Sequence, residues 1–184
     1  MRWFKWHKTR LKRPSLWKDR SGATAIEFAI VAIPFFMLVL AVIEVGVVHF
    51  VNRMVDNAVI SASRLIRTGQ AAGGKITQDQ FKDKVCDFMP DFMCSLDRLV
   101  VEVTAVNNFA AASAVDSLYD DEGNLRDTTG YEPGKAGDIV VVNVIYQWPM
   151  LASSLGLDKA DHDGVRHLTS TMVFRNEPFN DGGS

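Results

Sequence analysis

The sequence predicts a membrane-anchored α+β protein. One long N-terminal helix, first transmembrane and then amphipathic, packs on a small antiparallel sheet of three strands. Three observations predict this. Residues Phe28–Ile43 carry no charge. Beyond them Val48, Val51, Val55, Ala58, Val59, Ala62, Leu65 and Ile66 recur at three- and four-residue steps, the period of one helix face. Further on, three runs rich in β-branched and alternating apolar residues read as strands.

The apolar block has a length to satisfy. A helix rises about 1.5 Å per residue, so a hydrocarbon core of about 30 Å needs about 20 residues. Phe28–Ile43 falls short of that, but Ala23 to Val48 supplies 26 residues, with Glu27 and Glu44 inside. A cleaved secretory signal would have a shorter apolar stretch and a small-residue cut at its end. This block instead runs on into Val45–Phe50, which favours a span.

Charge orients the span. The whole chain has a net charge of −2, yet its first 22 residues hold eight Lys or Arg against one acid, Asp19, and the remainder carries −9. Basic flanks stay cytoplasmic, so residues 1–22 are placed inside and the rest is exported. A basic run can also bind nucleic acid. Here it directly precedes an apolar helix, so topology explains it and no nucleic-acid partner is expected.

The organisation follows. Residues 1–22 form a basic cytoplasmic leader, 23–50 the transmembrane helix and 51–70 its extension. Residues 75–180 form the exported α+β domain and 181–184 a tail. Arg53, Asp56, Asn57, Arg64 and Arg67 largely fill the polar face of the extension, and Gly69 ends it, followed by Gly73-Gly74 in a loop. Thr77 is a good N-cap for a helix from Gln78 to Met89, closed by Pro90. The strands are Asp97–Asn107, Asp138–Trp148 (the central one) and His167–Arg175. Asn107–Leu118 is Ala-rich and ambiguous. The acidic, Gly-rich stretch Tyr119–Gly137 reads as an exposed loop.

Several polar residues need a reason. A carboxylate at the bilayer centre costs on the order of 3 kcal/mol on insertion scales and less near the interface. Glu27 either reaches the headgroups or finds a partner. Glu44, at the outer end, either contacts another helix, with Gly46 allowing close approach, or sits at the interface. Pro34 removes one backbone hydrogen bond inside the span, leaving a harmless kink or a helix able to loosen. Cys86 and Cys94 are close in sequence and on the exported side, where a structural disulfide is expected.

Catalytic motifs are missing from the sequence: no G-x-S-x-G, H-E-x-x-H or P-loop occurs. No enzyme activity, cofactor or metal is therefore expected. Asp158, Asp161, His162 and Asp163, like Asp120-Asp121-Glu122-Gly123, resemble calcium loops in composition. Their spacing does not fit an EF-hand, and solvated loop charge is the simpler reading.

The junction carries a resemblance. Gly22-Ala23-Thr24-Ala25-Ile26-Glu27-Phe28 follows a basic leader and opens the apolar helix, and it looks like the cleavage motif of type IV prepilins. Ala23 stands where those proteins usually carry Phe or Met. Together with Ala29-Ile30-Val31, Pro34, Ile43-Glu44-Val45-Gly46 and Arg64-Leu65-Ile66-Arg67-Thr68-Gly69, residues 21–70 are similar to the TadE-like family. Val173-Phe174-Arg175-Asn176-Glu177-Pro178 adds a shorter likeness. These are pseudopilins, or minor pilins, of the tight-adherence (Tad, or Flp) pilus.

The resemblance implies a type IV pilin-like architecture and a role in pilus assembly and surface adherence. It implies cutting between Gly22 and Ala23 by a prepilin peptidase. Glu27 would then be the fifth mature residue and would pair with the N-terminal amine of a neighbouring subunit, where buried acid and ammonium compensate each other. The implied partners are that peptidase, other Tad pilins or pseudopilins, the inner-membrane assembly platform and membrane lipid. The implied location is the bacterial inner membrane with the larger part in the periplasm. The alternative is a permanently anchored, uncleaved periplasmic assembly or binding factor.

Overall fold

The computed structural model describes residues 22–115, 117–120, 123–126, 129–150 and 164–179. Helix α1 spans Ala23–Arg67, 45 residues without interruption. By backbone contacts the chain divides into two compact units, 1–40 and 41–184. In the first, the described residues are helical and almost all exposed. The second holds the rest of α1 and the α+β domain. There α2 (Gln78–Asp87), β1 (Leu99–Val106), a single turn α3 (Phe109–Ala112), β2 (Ile139–Pro149) and β3 (Val165–Arg175) follow in order. The expected leader 1–22 lies outside the described residues except for Gly22, and the expected tail 181–184 lies wholly outside them.

The expected span 23–50 and its extension 51–70 are one continuous helix, which stops at Arg67 rather than at residue 70. Gly69 ends it in the left-handed region (φ 77°). The Ala71 N–H returns to the Leu65 carbonyl at 3.1 Å, which satisfies one of the open carbonyls of the last turn. A Cβ at Gly69 would also collide with the ring of Phe179. Both backbone and packing therefore need glycine there.

The buried face of α1 comprises Val48, Val51, Val55, Ala58, Val59, Ala62, Ser63 and Ile66. Leu65, expected in this stripe, is half-buried, and Ser63 takes its place. The stripe drifts round the helix, and Ser63 lies one turn from both Val59 and Ile66.

Helix α2 begins with a full capping box. The Thr77 hydroxyl accepts from the Gln80 N–H at 3.3 Å, and the Thr77 N–H donates to Gln80 Oε1 at 3.0 Å. It stops at Asp87, two residues short of the expected Met89. Met89 precedes Pro90, which disfavours helical backbone at that position. Phe81 and Val85 turn into the core.

The sheet is antiparallel in the order β1-β2-β3, with the β-branched run central as the sequence predicts. Leu99 pairs with Tyr146 and Val106 with Ile139, while Ile139 also pairs with Arg175. Asp97 and Arg98, expected in the first strand, form a 3-10 turn leading into it. The third strand starts two residues earlier than expected, at Val165. One face brings Leu99, Val101, Val103, Val140, Val142, Val144, Tyr146 and Leu168 into the core shared with α1 and α2.

The described residues of Tyr119–Gly137 form no helix or strand and none is buried, as expected of an exposed loop, but Gly130–Glu132 lie along the edge of β1. The Val103 N–H donates to the Gly130 carbonyl at 2.9 Å, and the Glu132 N–H donates to the Val103 carbonyl at 2.7 Å. An edge strand has unpaired backbone groups, and this segment satisfies two of them. Tyr131 places its ring 6.0 Å from that of Phe81. Within the ambiguous stretch, α3 is one turn capped by Asn108, whose Oδ1 accepts from the Ala111 N–H at 2.8 Å.

Replacing Gly69 with Ala forces a strained backbone and displaces Phe179. We expect a loss of about 1–3 kcal/mol, read from thermal or denaturant unfolding of the full chain in detergent. The Tyr131 hydroxyl is buried with no hydrogen-bond partner among the described residues. Burial pushes its phenol up to about 12. The folded state therefore holds this proton more tightly than the unfolded chain, whose tyrosines titrate near 10. Stability from this group is intact below pH 10 and falls as pH rises from about 10 to about 12. Tyr131→Phe should be neutral or slightly stabilising at pH 7 and should flatten that alkaline fall.

Candidate functional site

The junction lies at the start of α1. Gly22 is exposed and sits in a turn, and its carbonyl accepts the first helical bond, from the Ile26 N–H at 3.2 Å. Ala23 is the first helical residue. The Gly22–Ala23 bond is thus at the helix boundary. Cutting there would leave an ammonium at the positive end of the helix dipole, an unfavourable placement without a nearby carboxylate. Glu27 stands four residues on, one turn away on the same face as Ala23. Glu27 and Phe28 are exposed, Phe28 at 70%.

Glycine at this junction has no cause within the described chain. No described atom outside its chain neighbours lies within 4 Å of where a Cβ would stand at Gly22, and the same holds at Gly46. Neither residue has a left-handed backbone. In mid-helix Gly46 is unfavourable by about 1 kcal/mol relative to Ala.

Residues Ala23 onwards form one helix long and apolar enough to cross a membrane, and its membrane-length apolar segment is not buried at all. Ile26, Phe28, Ile30, Val31, Ile33, Phe35, Phe36, Leu38 and Leu40 all stand outward. Pro34 lies inside this stretch, and the helix continues through it, leaving the Ile30 carbonyl without its usual donor. Glu44 is half-buried and Gly46 exposed.

In the α+β domain Cys86 and Cys94 form a disulfide, with Cα atoms 5.5 Å apart. A loop this short contributes about 2–3 kcal/mol in the chain-entropy account. The bond ties the last turn of α2 to the approach to β1. Among the described residues no group of His, Cys, Asp or Glu could hold a metal ion. Asp120 is occupied in its own turn: its Oδ1 accepts from the Asn124 N–H at 2.7 Å. Asp121, Glu122, Asp158, Asp161, His162 and Asp163 lie outside the described residues.

Sequence reading missed the pairing of Glu102 with Arg126. Glu102 lies mid-strand on the face of β1 turned away from α1, and it is 7% exposed. Arg126 Nη2 reaches its Oε1 at 3.0 Å from the stretch 119–137. A charged residue alternating with valines in a strand signalled only an outward face. Nothing local said that Arg126, 24 residues on, would cover it. Tyr119 and His167 meet similarly across the fold, hydroxyl to Nδ1 at 3.0 Å.

A single N-terminal helix of membrane length, followed by a small three-stranded antiparallel sheet, defines a helix-anchored α+β protein. Within that class, residues 22–64 match the family of TadE-like proteins, so the N-terminal helix of this chain is a TadE-like one. The match begins at the junction glycine and ends within the buried half of α1. It suggests involvement in a Tad pilus system. No curated protein and no solved structure matches the chain.

The Glu102–Arg126 pair yields a test of the outer face. Arg126→Met strands a buried carboxylate and should destabilise the full chain by roughly 2–3 kcal/mol, near the lower bound for such pairs because Arg126 is partly exposed. Adding Glu102→Leu should recover most of that loss in the same unfolding assay.

Proposed function

We propose that this protein is a minor pilin, or pseudopilin, of a Tad (Flp) pilus, cut after Gly22 by a prepilin peptidase and assembled through α1. The observation that carries the reading is the junction itself. An exposed glycine with no intrachain reason to be glycine precedes the first residue of a bare apolar helix, and a carboxylate stands one turn further on. The match from residue 22 supports it.

In this reading the basic leader holds the chain in the inner membrane with its N-terminus in the cytoplasm. The peptidase exposes the Ala23 amine. Glu27 of one subunit compensates the amine of the next, and the two charges, each costly alone in an apolar setting, set the register between helices. Phe28 and the apolar residues after it pass from lipid contact to helix contact. Pro34 gives the span a place to adjust, and Gly46 beside Glu44 allows a neighbouring helix close approach. The domain beyond α1 stands in the periplasm or on the filament, where it serves assembly and adherence.

The test is the N-terminal sequence of the protein from native membranes, with and without the resident prepilin peptidase. We expect a mature chain starting at Ala23 when the enzyme is present. Glu27→Gln should still be cut but should fail to enter sheared pilus fractions. A chain that keeps residues 1–22 beside an active peptidase instead makes the protein a permanently anchored assembly factor.

A further inference from the structure

The disulfide loop holds the most exposed aromatic residue of the domain. Met89 and Met93 are buried at 4% and 5%, while Phe88 and Phe92, each one position before, stand out at 50% and 88%. Leu96 follows at 46%. Two phenylalanines fixed outward by a disulfide and a pair of buried methionines form a rigid apolar tip. Nothing within the described chain covers it.

The place of this tip in the fold says what covers it. The C-terminus of α1 docks where β3 ends. The Glu177 N–H donates to the Arg67 carbonyl at 2.9 Å, and the Asn176 N–H donates to Asp138, just before β2. From there back to Val48 the buried stripe measures about 27 Å at about 1.5 Å per residue. Three strands about 4.8 Å apart are too narrow to carry such a stripe across them, whereas an 11-residue strand offers about 36 Å along its length. The helix therefore runs along the strands. Its Val48 end lies toward Leu99, Tyr146 and Val165.

The disulfide loop is at that same end. The Tyr146 hydroxyl donates to the Met93 carbonyl. Residues 96–98 form one turn that delivers the chain into Leu99. At this end α1 itself changes character: Val42, Ile43, Val45, Val47 and Phe50 are exposed, and burial by the domain begins at Val48. The tip thus lies at the same end of the domain as these outward apolar residues of α1.

We infer that Phe88 and Phe92 insert into the outer leaflet of the phospholipid bilayer from which α1 emerges, seating the domain on the membrane surface. This rests on the membrane-anchored reading of α1. Aromatic side chains at the interface fit that role, and the flanking charges select against a purely electrostatic one. Asp87, Asp91 and Asp97 outnumber the basic residue Arg98 in this stretch, so attraction to anionic headgroups is not the driving term. Docking is apolar and should be indifferent to salt. It also restrains the domain until α1 leaves the bilayer.

The experiment uses the full chain with a benzophenone amino acid at position 92, one copy per phospholipid nanodisc, irradiated and analysed by mass spectrometry. A second chain carries the photoreactive group at exposed Phe109, at the opposite end of the sheet. Phospholipid adducts at 92 and none at 109, unchanged by added salt, support the docking. A chain retained in the disc with no lipid adduct at 92 overturns it, as does an adduct at 92 formed only with another protein in native membranes. A chain that never enters the disc overturns the anchored reading itself.

Discussion

The α+β domain of this protein depends on keeping one helix face dry. From Val48 to Ile66 the helix presents Val51, Val55, Ala58, Val59 and Ala62 at essentially zero exposure. A helix in water cannot leave such a stripe bare, because helical stability in proteins comes mainly from packing the apolar face. The strand residues opposite it are mostly Val, with Leu99, Tyr146 and Leu168 toward one end. Helix α2 supplies Phe81 and Val85, and its Gln78 fixes it to β1 through the Val101 carbonyl at 2.6 Å.

The same sheet has a second face and a free edge, and residues 107–137 serve both. The edge of β1 is met by Gly130–Glu132 and its outer face by Arg126 on Glu102. α3 lies against β1 and β2. A three-stranded sheet with only one covered face would leave Val141 and Ile145 in water, yet they are 2% and 1% exposed. A polar, Gly-rich segment is able to do this because most of its own backbone stays near solvent while a few side chains, Leu118 and Arg126 among them, reach inward.

The proposed function uses positions at which the fold makes no demand of its own. Gly69 is glycine because the backbone turns left-handed there and Phe179 fills the space. Gly22 and Gly46 have no such reason in the described chain. The outward residues of the first helical turns, and the two phenylalanines of the disulfide loop, contribute nothing to the core. These are the positions on which the proposed peptidase, helix and lipid contacts rest.

The sequence by itself determined the long helix, its change from apolar all round to apolar on one face, the central strand and its two neighbours. It also determined the Thr77 cap and the junction motif at Gly22 and Glu27. Each is written in local periodicity, a cap or a short motif, and neighbouring residues suffice to read it. Only the tertiary structure decided that Ser63 rather than Leu65 completes the buried stripe. It also decided that Gly130–Glu132 line the edge of β1, that Arg126 neutralises Glu102, and that the disulfide loop stands at the Val48 end of the sheet. Those outcomes join residues tens of positions apart, and their energy comes from surfaces that exist only once the strands and helices have packed.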